Sequence, residues 1–104
     1  SVLVVTEFGR TARVNGNLGT DHGTAGVAIV LGGAVAGGRV IATWPGLAPD
    51  KLFENRDLAP TTDLRAVAKG LLRDGLGLPD AAIAAAFPGS AGVAPMGGLL
   101  RARV

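Results

Sequence analysis

The sequence predicts an α/β fold of about three strands followed by two helices, and three observations predict it. Two short, β-branched apolar runs, Val2-Leu-Val-Val5 and Val27-Ala-Ile-Val-Leu31, read as strands. A stripe of Leu64, Val67, Ala68, Leu71 and Leu72 recurs at the three- and four-residue spacing of an amphipathic helix. Gly- and Pro-rich stretches punctuate the chain between these segments.

Taken in order, Val2 to Val5 is apolar on both alternations, which suits a strand covered on both faces. Gly9 to Gly26 is a long Gly-rich loop with a turn signal at Asn15-Gly16. Val27 to Leu31 is the second strand and Arg39 to Ala42 the third, with the pairs Gly32-Gly33 and Gly37-Gly38 suggesting a hairpin. Those Gly pairs could also cradle an anion through backbone N–H groups, although a hairpin explains them more simply. Trp44 to Pro49 holds too much proline for a ladder and is loop or edge, and Lys51 to Ala59 has room for one short strand. Thr61 or Thr62 can cap the first helix, and Gly75 is a stop for it. Pro79-Asp80 opens a short second helix with Ile83 and Phe87 on one face, closed by Pro88-Gly89. The tail from Ser90 to Val104 is Gly-rich with an apolar finish at Leu99-Leu100.

Composition narrows the function classes. The chain has 104 residues, enough for one domain at most. Only 17% of them are charged, with two Lys and two Glu, so little of the exterior is dressed for solvent. That pattern fits a single domain, residues 1–104, or a fragment of a larger one, and it implies contact with other protein. Eight scattered Arg, one Trp and no Tyr make neither a basic block nor a stacking platform, so nucleic acid is excluded as a partner. No cysteine is present, which removes disulfides and thiolate metal sites. No apolar run is long enough to span a membrane.

The chemistry-bearing residues collect in the first loop. Glu7 stands just past the carboxyl end of the first strand, where open α/β sheets place ligand-handling groups. Asp21 and His22, the single histidine, follow in the loop. Two carboxylates and an imidazole suit Zn, Mn or Fe, and Mg or Ca less well. Arg10 and Arg13 offer forked donors for a tetrahedral oxyanion. The bland alternatives are an exposed Glu7–Arg10 pair, a turn-capping Asp21 and a hydrogen-bonding loop histidine.

The ordered series Thr6-Glu-Phe-Gly-Arg-Thr11, Gly19-Thr-Asp-His-Gly23, Leu31 to Gly38, Trp44-Pro-Gly46, Thr61-Thr-Asp-Leu-Arg65 and Phe87-Pro-Gly89 resembles the family filed as domain of unknown function 1501. The resemblance covers the C-terminal part of that family, whose members are several times longer and begin with a twin-arginine export signal. It implies a periplasmic or secreted location and kinship with the alkaline phosphatase and sulfatase superfamily. The chain is then the C-terminal portion of an alkaline-phosphatase-like sheet-and-helix domain. In that superfamily a strand ends in an Asp-His pair and a further His follows, together binding one or two metals. Two alignments follow. Either Asp21-His22-Gly23 is the pair itself, or Glu7 takes the strand-end Asp position, Phe8 replaces the paired His and His22 is the downstream ligand. The second respects the strand. Between them, the two alignments and the loop's own residues leave Glu7, Asp21 and His22 as the expected metal ligands or their neighbours, with Arg10 steadying the anion.

The expected function is part of a metal-dependent hydrolase of phosphate or sulfate esters. Its nucleophile lies in an N-terminal segment outside this chain, so the chain alone is expected to be inactive. The alternative is an exported binding or assembly module that keeps the fold and has lost the metal site. The expected partners are that N-terminal segment or a self-associating copy, and a small anionic ester.

Overall fold

A computed structural model of the chain describes residues 1–102; the last two positions of the expected tail, 103 and 104, lie outside the described residues. The elements are β1 (Val2–Val4), β2 (Gly9–Arg10), β3 (His22–Gly23), β4 (Ile29–Leu31), a 3-10 turn (Pro49–Lys51), α1 (Leu64–Leu76) and α2 (Asp80–Ala86). This is a mixed α/β chain with very short strands. β1 pairs with β4, and β2 with β3, in two separate two-stranded sheets. The chain divides into two compact units. One comprises Ser1–Leu3, Val30–Val40 and the stretch from Asp63 onward; the other comprises Val4–Ile29 and Ile41–Thr62.

The first unit is organised on α1. Asp63 is its N-cap: the carboxylate accepts the Arg65 N–H at 2.9 Å and also grips the Arg65 guanidinium at 2.7 Å. Thr61 and Thr62, expected as caps, are displaced because Asp63 carries the oxygen that reaches the free first-turn donor. The helix passes through Gly75 and stops at Gly77, whose φ of 64° is left-handed. There the Gly77 N–H bonds the Arg73 carbonyl and the Leu78 N–H bonds the Leu72 carbonyl.

Val67 and Ile83 of the two helices, with Leu99 from the tail, are the buried hydrophobic residues of this unit. The tail is tied to α1 by polar bonds as well. Lys69 is buried, and its Nζ donates to the carbonyls of Ser90 at 2.8 Å and Val93 at 2.9 Å. The Met96 N–H bonds the Ala66 carbonyl, and the Met96 carbonyl presses so close to Gly70 that a Cβ there would lie 2.0 Å away.

Two expectations change in this unit. Arg39 to Ala42 forms no strand. Instead Ala34–Ala36 pairs with the distant tail, through Ala36 N–H to Leu99 O at 2.9 Å and Arg101 N–H to Ala34 O at 2.7 Å. The long-range partner takes the ladder groups that a local hairpin would have used. The Arg39 side chain then donates to the Ala36 and Gly98 carbonyls.

The opening strands are not covered on both faces. In β1 and in β4 the outer two residues are exposed and the central one half-buried. The apolar runs mark the two strands but overstate their burial.

Candidate functional site

The second unit turns the expected loop into a small scaffold. β2 and β3 are antiparallel, with Gly9 opposite Gly23 and Arg10 opposite His22. Thr11, buried just beyond β2, extends the pairing: its N–H bonds the Asp21 carbonyl at 3.0 Å, and its hydroxyl accepts the Asp21 N–H at 3.1 Å. The intervening loop is folded on Asn15. The side-chain oxygen of Asn15 accepts the N–H groups of Asn17 and Gly19, and its amide donates to Asp21 Oδ1 at 2.9 Å. Thus Arg10, Asp21 and His22 stand on a hairpin with a defined register.

Around that hairpin lies an open hollow of about 460 Å³ lined by Arg10, Thr20, Asp21, His22 and Arg56. Arg10 does not reach freely into it. Its Nε donates to the Thr20 hydroxyl at 3.1 Å and its Nη2 to the Thr20 carbonyl, which fixes the guanidinium plane along the wall. The His22 ring stacks on Phe8, with centroids 3.9 Å apart and planes 23° from parallel. Phe8 therefore holds the imidazole from one face and leaves its ring nitrogens at the edge. Two guanidiniums against one carboxylate make the hollow cationic.

Three of the residues expected from the sequence line this hollow: Arg10, Asp21 and His22. Glu7 is exposed and is not among the lining side chains, and it forms no ion pair with Arg10 among the described residues. Arg13 is also elsewhere: its guanidinium braces Asn55 through the carbonyl and the side-chain oxygen. Asp21 and His22 offer a metal one carboxylate and one imidazole. Among the described residues, however, no group of three or more His, Cys, Asp and Glu could hold a metal ion. Asp21 and His22 share the hollow, both as exposed side chains, whereas Glu7, also exposed, does not line it, so the three do not form such a group among the described residues.

Sequence reasoning missed Arg56 and Asp57. Asp57 is 2% exposed, and its Oδ2 accepts the Thr24 N–H. The carboxylate lies flat against Gly23, where a Cβ would stand 2.7 Å from Oδ1 and 2.8 Å from Oδ2. The glycine of Asp21-His22-Gly23 is therefore required by an acid thirty-four positions later in the chain. The available signal was the cluster Glu54-Asn-Arg-Asp57, four polar residues in a row after Leu52-Phe53.

A family model described as "Protein of unknown function (DUF1501)" matches residues 1–87, which include all of these positions. No curated protein and no solved structure gives a match.

Proposed function

The chain belongs to the DUF1501 family, and on that premise we propose that it contributes the anion-handling wall of a metal-dependent hydrolase of phosphate or sulfate esters. The observation that carries the reading is the gathering of Arg10, Thr20, Asp21, His22 and Arg56 around one cationic hollow. Forked guanidinium donors match the oxygens of a tetrahedral oxyanion, and an adjacent imidazole and carboxylate are the donor types that Zn, Mn or Fe prefers. In this reading Asp21 and His22 are two members of a ligand set completed by groups beyond those described. What a bound divalent ion supplies to such chemistry is Lewis acidity toward an ester oxygen. The chain's own residues hold the anion: Arg10 is fixed by Thr20, and His22 is fixed by Phe8. The alkaline-phosphatase-like fold and an exported location belong to the same proposal.

The test is metal analysis of the intact protein purified without chelator, followed by aryl phosphate and aryl sulfate hydrolysis. The expected result is a bound first-row divalent metal and a turnover that His22→Ala lowers by about 100-fold or more. A metal-free protein, or hydrolysis indifferent to His22→Ala, defeats the proposal.

A second reading, a non-catalytic exported module, is favoured by one observation. Asp21 Oδ1 already accepts from Asn15 and the His22 ring already leans on Phe8, so both groups have structural employment. This reading expects no turnover with either ester class. It also expects His22→Ala to change stability alone.

A further inference from the structure

The turn from Phe53 to Asp57 carries features that its length and position do not require. Phe53 and Asp57 form an antiparallel bridge, with Phe53 N–H to Asp57 O at 2.7 Å and Asp57 N–H to Phe53 O at 3.1 Å. Between them Glu54 and Asn55 sit at φ of 51° and 60°. Two successive left-handed residues define a tight hairpin turn that favours Asn or Gly, and a glutamate there is held against its preference. The surroundings enforce it. Arg13 clamps Asn55 through its carbonyl and side-chain oxygen, and the Arg56 carbonyl accepts the N–H groups of Ala12 at 2.9 Å and Arg13 at 3.1 Å. Asp57 is driven beneath Gly23 and bonded to Thr24, and its buried Oδ1 has no hydrogen-bond partner among the described residues. The turn is therefore locked to the hairpin that bears Asp21 and His22.

What this fastening presents is Arg56. Its backbone is pinned, its side chain is exposed, and it lines the cationic hollow. The other arginines with described side chains spend their guanidiniums inside the molecule. Arg10 binds Thr20, Arg13 binds Asn55, Arg39 binds two carbonyls, Arg65 binds Asp63, Arg73 binds Asp74 and Arg101 binds Gly33. Arg56 makes no side-chain hydrogen bond or ion pair among the described residues. A guanidinium held on a strained, fastened turn and left without a partner is free to fork onto a ligand.

We propose that Arg56 is the principal anion-binding side chain of the hollow, that its ligand is a tetrahedral dianion of the phosphate or sulfate class, and that Asp57 is the positioning residue that sets it against His22. The proposal deepens the hydrolase reading and rests on the same hollow, but it concerns binding and needs neither a metal nor turnover.

The experiment is titration of the intact protein with inorganic phosphate, and separately with sulfate, by calorimetry in a chelating buffer at fixed ionic strength. Circular dichroism serves as the folding check for each variant. Wild type is expected to saturate, Arg56→Ala to weaken the affinity by about tenfold or more, and Arg56→Lys to fall between them because the fork is lost and the charge kept. Asp57→Ala, which keeps Arg56, is expected to weaken phosphate binding, and Asp57→Asn to restore most of it. Equal phosphate and sulfate affinities in wild type and folded Arg56→Ala overturn the proposal, as does a wild type that binds neither ion. Arg56-dependent phosphate binding by a protein that hydrolyses no ester keeps this inference and defeats the hydrolase reading alone.

Discussion

At the scale of the residue, two charged side chains in the helical unit make separable contributions. The Arg65 guanidinium and backbone N–H hold the Asp63 carboxyl down to about 2, from an ordinary value of 3.8. A depressed acid contributes stability above its unfolded pKa and loses it as pH falls through the folded one. The advantage of wild type over Asp63→Asn in thermal midpoint should therefore be full near neutral pH and shrink between about pH 4 and pH 2. An advantage that stays constant over that window contradicts the charged Asp63–Arg65 pairing. Lys69 forms no ion pair among the described residues and bonds backbone carbonyls instead. Replacing it by Met leaves the buried Ser90 carbonyl and the half-buried Val93 carbonyl without their donor, and urea unfolding should register a loss of about 2 kcal/mol or more. An unchanged midpoint would show that water serves those carbonyls equally well.

At the scale of the element, legibility followed the length of the periodic signal. α1 spans thirteen residues, and its Leu/Val stripe repeats often enough to announce it from the sequence. Its ends are ambiguous in the sequence, since any of Thr61, Thr62 and Asp63 can cap, and Gly75 looks like a stop although the helix runs on to Leu76. The β2–β3 hairpin was invisible, because two strands of two residues, each containing a glycine, leave no alternation to read. Gly70 marks the same blindness on α1, where only the fold reveals the Met96 carbonyl against the helix. Gly70→Ala should improve helix propensity yet destabilise the unit by about 1–3 kcal/mol, because its Cβ meets backbone at 2.0 Å. Calorimetric melting checks the sign: a raised midpoint would mean that the tail yields freely.

At the scale of the whole molecule, the candidate site was half legible. Asp21 and His22 stood out as an acid beside the single imidazole, and Arg10 as a nearby fork. Glu7 stands out equally in the sequence and does not line the hollow. Arg56 and Asp57 were hidden because the relation that matters, a carboxylate seated on Gly23, joins segments far apart in sequence. The apolar strands likewise suggested a deep sheet, whereas Val2, Val4, Ile29 and Leu31 remain exposed among the described residues. The central proposal is that one cationic hollow, lined by Arg10, Asp21, His22 and Arg56, receives a tetrahedral oxyanion beside a metal. The most direct measurement is a crystal structure of the intact protein soaked with zinc and phosphate. The account predicts zinc on His22 with phosphate oxygens on Arg56. Zinc and phosphate bound away from both side chains in a well-ordered molecule would contradict it.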